Sequence, residues 1–213
     1  MRCDKKDLLL YGVTDRSWLG DRTLAQQVEA SLRGGATMIQ LREKHMDRGS
    51  ILAQALELRE LCGRYGVPLI LNDDAELAQA AGADGVHVGQ SDMEAGRVRA
   101  LLGEDKLIGV SARTVEQALA AQAAGADYLV VGAMFPTGTK QDTRPVSYDT
   151  LKAICAAVDI PVVAIGGIGA GKGAELAGSG IAGVAVVSAL YAQPDVEAAT
   201  RSLRAQVERV VGP

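Results

Sequence analysis

The residues of this chain whose types and spacing could do chemistry are Arg42, Lys44, Asp73, Asp92 and the run Thr137, Gly138, Thr139, Lys140. Arg42 and Lys44 close the stretch "MIQLREK" (Met38–Lys44), which opens like a buried strand and ends in charge. Alternate side chains of an extended segment share a face, so Met38, Gln40, Arg42 and Lys44 fall on one side and Ile39 and Leu41 on the other. With Ile39 and Leu41 packed on a helical layer, Gln40 and Arg42 point inward and Lys44 stands at the rim. A guanidinium buried without an anion costs several kcal/mol. Its partner is either a protein carboxylate or a ligand phosphate.

Two further apolar runs end in acid: "LILND" at Asn72 and Asp73, and "HVGQSD" at Asp92. Asp74 is placed to cap the helix pattern "AELAQAA" that follows. Asp73 and Asp92 read as a general acid and base, as solvated loop charges, or as the sparse oxygen ligation of Mg²⁺, which keeps waters and completes its shell with substrate phosphates. The cations nearby favour the metal. In "VGAMFPTGTK", Thr137, Gly138 and Thr139 offer hydroxyls and backbone N–H groups on a Pro/Gly-shaped loop, and Lys140 adds a positive charge. Such loops cradle anions, and ordinary surface turns share the composition. Gly166 and Gly167 in "AIGGI" allow close approach of a ligand to backbone, or serve tight packing.

These residues sit at the ends of a repeating texture. Short Val/Ile/Leu runs alternate with Ala-, Glu-, Gln- and Arg-rich stretches of helical spacing, giving eight strands, each followed by a helix. "GGAT", two copies of "AGAD" and "SGIAG" stand between a helix pattern and the next strand, where Gly ends a helix in left-handed geometry. Eight βα units with polar residues collected after strand ends predict a closed barrel. No GxGxxG follows the first strand, which counts against a dinucleotide-binding open sheet. The expected architecture is α/β: one (β/α)8 TIM-barrel domain of parallel strands over residues 1–213.

Bulk properties set the outer limits. Composition is ordinary for a globular chain, with 48% hydrophobic and 23% charged residues. A net charge of −4 argues against a general nucleic-acid binder. Cys3, Cys62 and Cys155 form no CxxC pair and have only His45 and His87 to join them, so no zinc site is expected. Reduced thiols, the lack of a signal-peptide pattern and the lack of a bilayer-spanning run predict a cytoplasmic protein without membrane attachment. No exposed apolar stripe decides for or against a homo-oligomer. His87 in "GVHVG" reads as a packed core residue rather than a catalyst, and His45, beyond the strand, as either a residue that orients the site or one that merely sits in a loop.

With these residues assembled, the chain resembles the thiamine phosphate synthase family through "QLREK", "NDD", "HVGQSD", "GVS", "FPTGTK", "IGGI" and the "VS" of "VVSAL", in family order along nearly the whole sequence. The resemblance implies a TIM-barrel transferase of thiamine biosynthesis. It would join an aminopyrimidine diphosphate to a thiazole phosphate, plain or carboxylated, with Mg²⁺, giving thiamine phosphate and pyrophosphate. It implies pyrimidine-diphosphate contacts from Gln40, Leu41, Arg42, Glu43, Lys44, Asn72, Ser111 and Lys140. Arg42, Lys44, Lys140 and Ser111 would act in catalysis, and Glu43, outward by alternation, would do no more than support. It implies metal ligation by Asp73 and Asp92, and thiazole-phosphate contacts from Thr137, Gly138, Thr139, Gly167, Val187 and Ser188. One departure is Arg113, two residues after the Ser of "GVS", where many members carry His.

The implied reaction separates charge at a pyrimidine-methyl carbon, and an amino-substituted ring can stabilise the resulting cation. Cations on the departing pyrophosphate would then supply the main catalytic effect. The attacking thiazole nitrogen carries no proton, so bond formation needs no general base. Two rivals stay in view: a thiazole tautomerase of similar fold, which would need a base, and a non-catalytic thiamine- or phosphate-binding regulator. The polarity of "FPTGTKQDTR" also suggests a loop that closes over bound substrate.

Overall fold

Hydrophobic alternation of period two builds the centre of the molecule. The computed structural model describes residues 3–92, 94–137 and 145–212. Eight short strands are β1 (Leu10–Val13), β2 (Met38–Leu41), β3 (Leu69–Asn72), β4 (Gly85–Val88), β5 (Leu107–Ala112), β6 (Tyr128–Gly132), β7 (Val162–Ile165) and β8 (Gly183–Val186). They pair in chain order, and β8 returns to β1 to close an all-parallel barrel. Parallel strands need long crossovers, and the helical stretches between the runs supply them.

Those crossovers are α1 (Leu24–Gly34), α2 (Arg48–Tyr65), α3 (Ala75–Ala81), α4 (Ala95–Leu102), α5 (Val115–Ala123) and α6 (Tyr148–Ala157), with α7 (Ser188–Tyr191) and α8 (Val196–Val211) after the last strand. The expected pattern fails once. After β7 the chain forms only a short 3₁₀ turn, Lys172–Leu176, entered through left-handed Gly171. The intervening "GAGKGAEL" is too rich in glycine to propagate an α-helix.

Side chains sort by parity. Ile39, Leu41, Leu69, Leu71, Val86, Val88, Ile108, Val110, Leu129 and Val131 belong to the layer shared with the helices. Tyr11, Met38, Ile70, Leu107, Tyr128, Val130 and Val163 fill the barrel interior, and Leu8 from the 3₁₀ turn Lys5–Leu8 joins them at the amino-terminal end. Gly109 makes room for a large neighbour: a Cβ there would fall 2.2 Å from the Tyr128 ring. The lower barrel is therefore packed, and a cavity opens at its carboxyl-terminal end.

Helix starts are fixed beside that end. Asp47 caps α2 through Ser50 N at 2.9 Å, and Asp74 caps α3 through Leu77 N at 2.8 Å, as expected of Asp74. Asp74 also receives both prongs of the Arg48 guanidinium at 3.0 Å. Thr114, Ser147 and Asp195 cap α5, α6 and α8 in the same way. Gly35, at φ 100°, ends α1 where a Cβ would be strained.

Candidate active site

The last inward residue of each strand meets the others around a cavity of about 210 Å³ at the carboxyl-terminal mouth. Its floor is polar. Gln40 is buried and donates through Nε2 to the Tyr11 hydroxyl at 2.6 Å, and that hydroxyl lies 3.0 Å from the Tyr128 hydroxyl. Burial pushes both phenols well above their usual range, so they stay neutral and act only as hydrogen-bonding groups. Beside them His87 Nε2 lies 2.9 Å from Ser111 Oγ, and Gln90 Nε2 holds the Ser111 carbonyl at 2.7 Å. Val13, Val130, Ile165 and Val186 form apolar walls between the polar groups. A flat heteroaromatic ring would meet both its edges and its faces there.

The expected residues divide into several groups. Gln40, Arg42, Asn72, Ser111, Thr137, Gly167, Val187 and Ser188 all line this one cavity. Leu41 does not. Alternation turns its side chain into the layer under the helices, 2% exposed, so the expected Leu41 contact is corrected as far as its side chain goes. Glu43 also turns away and accepts from Arg16 Nε at 2.6 Å. Lys44 is exposed on the loop after β2 and is not part of the cavity wall. Gly138, Thr139 and Lys140 lie outside the described residues, as does most of the segment expected to close over the site.

His87 is buried, as expected of a packed residue, and its imidazole also lines the cavity. Its neighbours Val86 and Val88 both join the outer layer. Period-two alternation alone therefore points His87 inward, and the signal was present in "GVHVG". Tyr11 in "LLLYGV" follows the same logic. Arg113 joins the wall as well, with its backbone N–H held by Gln117 Oε1 at 2.8 Å.

Gly166 and Gly167 have positive φ, 97° and 65°, and no room for a side chain. A Cβ on Gly167 would sit 2.6 Å from the Pro136 carbonyl oxygen, and one on Gly166 2.5 Å from the Ala133 Cβ. Tight packing of the β7 tip on the segment after β6 is reason enough for both. The same packing holds Gly167 and Thr137 close to the start of α7, where the first backbone N–H groups have no intrahelical acceptors. That corner is a natural seat for an anion held by neutral donors.

Asp73 and Asp92 stand just beyond β3 and β4. Asp73 is at φ 65°, a left-handed conformation that Asp tolerates, and its N–H donates to the His87 carbonyl at 2.8 Å. That bend brings its carboxyl to Asp92, whose own Oδ2 accepts from Gly89 N at 2.6 Å. Partial burial, and then Asp92 at hydrogen-bonding range, push the Asp73 carboxyl up to about 6 against the pull of Asn72 and Arg42. Two carboxylates in contact, with only oxygen donors, fit a hard cation. Among the described residues no group of three or more His, Cys, Asp or Glu could hold a metal. Two carboxylates from the described residues would leave further positions to other donors such as water and substrate, as suits Mg²⁺.

Residues 10–190 match the profile of the family described as thiamine monophosphate synthase. A thiamine-phosphate synthase of Ruminiclostridium cellulolyticum is 47% identical over 93% of this chain and 95% of its own. One from Chloroflexus aurantiacus is 50% identical over 94% and 93%. A solved thiamine phosphate pyrophosphorylase from Pyrococcus furiosus superposes with a TM-score of 0.90, at 37% identity, covering 98% of this chain and 99% of that one.

Proposed function

Because the chain belongs to the thiamine monophosphate synthase family, we propose that its cavity joins an aminopyrimidine, activated as its diphosphate, to a thiazole phosphate, releasing thiamine phosphate and pyrophosphate. The enzyme is a transferase. The single observation that carries the site reading is the division of one cavity into two unlike ends. Arg42 marks a charged end, and Thr137, Gly167, Val187 and Ser188 mark an end of backbone and hydroxyl donors; the Asp73–Asp92 pair stands outside the cavity wall, on the loops just beyond β3 and β4. Apolar walls lie between.

Each group has a role that follows from its chemistry. Arg42 would attract the diphosphate and stabilise the charge that grows on it as the carbon–oxygen bond breaks. Gln40, Asn72 and Ser111 would orient the pyrimidine edge, with His87 holding the Ser111 hydroxyl. Gln40 is itself fixed by Tyr11, so its position is set before the substrate arrives. The donors around Thr137 and Ser188 would hold the thiazole phosphate so that its ring nitrogen faces the reacting carbon. Holding both partners in line lowers the entropic part of the barrier. Mg²⁺ between Asp73 and Asp92 would supply further charge stabilisation for the leaving pyrophosphate. The thiazole nitrogen attacks through a lone pair, so no residue need remove a proton.

Purified protein with both phosphorylated substrates and Mg²⁺ should release pyrophosphate and thiamine phosphate in equal amounts. Pyrophosphate without thiamine phosphate would overturn the proposal in favour of a hydrolase. Conversion of the thiazole alone, with no pyrophosphate, would overturn it in favour of a tautomerase. No helix among the described residues is long and apolar enough to cross a membrane.

A further inference from the structure

Arg42 and Lys44 lie on a segment with no regular structure of its own, since β2 ends at Leu41 and α2 begins at Arg48. What holds that segment is the loop after β1. The Thr14 N–H donates to the Gln40 carbonyl at 3.0 Å, and the Arg42 N–H donates to Thr14 Oγ1 at 3.0 Å. Thr14 is fully buried. One residue further along, Glu43 faces away from the cavity, and its side chain is only 6% exposed. Its carboxylate accepts from Arg16 Nε at 2.6 Å, and Arg16 Nη2 donates to Gln54 Oε1 on α2. One guanidinium thereby ties the loop after β1, the loop after β2 and the first turns of α2.

A carboxylate this buried must be held by a partner, because desolvation penalises it otherwise. The Arg16 side chain is 38% exposed, so the pair itself contributes little to overall stability. Its effect is geometric. Glu43 is covalently between Arg42 and Lys44, and pinning its side chain away from the cavity limits where the adjoining Arg42, which lines the cavity, can stand. We propose that Arg16 and Glu43 are positioning residues for the diphosphate end of the site: the Arg16–Glu43–Gln54 strut sets where the Arg42 guanidinium stands, without touching substrate. The inference rests on the proposed function for the identity of the anion.

The test measures Glu43→Gln, Arg16→Gln and their double variant. In each single variant the KM for the pyrimidine diphosphate should rise about tenfold, within the range expected of a misplaced binding group. The Kd for inorganic pyrophosphate with Mg²⁺, read by calorimetry without turnover, should rise in parallel. The KM for the thiazole phosphate should stay within about twofold, since that end hangs on β7 and β8. The double variant should be no worse than either single one, because both break the same strut. Arg16→Lys, which can still reach Glu43, should restore most of the loss. Equal rises in both KM values, additive losses, or a loss that tracks only the melting temperature would overturn the proposal. Should Glu43→Gln fail to fold, Arg16→Gln and Gln54→Ala still decide: Gln54→Ala should raise the pyrophosphate Kd about two- to threefold, and an unchanged value in both overturns the strut. A wild type that binds pyrophosphate but makes no thiamine phosphate would sink the proposed function while leaving the strut readable.

Discussion

The two ends of the barrel use aspartate in opposite ways. At the amino-terminal end, Asp84 and Asp127 close the repeated "AGAD" turns, and each carboxylate completes a neighbouring strand. Asp84 Oδ2 accepts from Leu69 N at 2.8 Å, and Asp127 Oδ2 accepts from Ile108 N at 2.8 Å. Asp127 also pairs with Arg99 Nη2 at 2.6 Å, with both side chains only 15% exposed. Arg99 goes on to hold the carbonyls of Gly103, Gly125 and Lys106. At the carboxyl-terminal end, Asp73 and Asp92 are set against each other, and their repulsion contributes to raising the Asp73 carboxyl to about 6. One end uses its carboxylates to close the fold, and at the other, on the proposed reading, they would hold a cation. The contrast matches the general division of barrels into a stabilising face and a reactive face.

That contrast predicts separable losses. The largest belongs to the reactive face: Asp92→Ala and Arg42→Ala should each lower kcat/KM by about 10²- to 10³-fold, the cost of one electrostatic stabiliser. Their melting temperatures should stay within a few degrees of wild type. Near-normal turnover for both would break the assignment of the charged end. Next in size, Asp127→Ala should do the reverse. It strands Arg99 partly buried, which should cost about 3 kcal/mol of unfolding free energy while leaving kcat of the folded enzyme unchanged. Denaturant melts and initial rates on the same samples check it, and a fall in kcat at full folding would erase the division between the faces.

Most of the fold and part of the site were legible in the sequence for one reason, strand parity. Once Ile39 and Leu41 are assigned to the outer layer, Gln40 and Arg42 must face inward, and the structure places them in the cavity wall. The same rule applied to Val86 and Val88 turns His87 inward, so that it is buried and also lines the cavity. Parity stops where the strand stops. Lys44 is three residues past Leu41, and its position depends on the loop rather than on the pleat. Glu43 shows the limit most clearly: its partner Arg16 is 27 residues away, on a loop that alternation does not describe. The 3₁₀ turn after β7 was hidden because the segment's Gly content and its Ala/Glu/Leu content pull in opposite directions.

The smallest effect probes the reactive face without its substrate. Asp73 has an ordinary carboxyl value of 3.8 and sits at about 6 in the fold. Between those values the folded state binds a proton that the unfolded state has released, so stability falls as pH rises through that window. Above about 6 the penalty is constant, and below about 4 it is gone. Asp73→Asn removes the charge and keeps a residue that tolerates the left-handed φ of 65°. In metal-free buffer it should melt higher than wild type at pH 8, by about 1–2 °C, because the side chain is solvent-accessible and the repulsion is screened. The advantage should shrink as pH falls from 6 to 4, while any gain from backbone preference alone would persist at every pH. Adding Mg²⁺ at pH 8 should raise the wild-type melting temperature and leave Asp73→Asn nearly where it was, since a ligand bound only to the folded state stabilises it by mass action. A pH-independent difference would mean that Asp73 and Asp92 do not repel, and an equal Mg²⁺ response in both proteins would place the ion elsewhere.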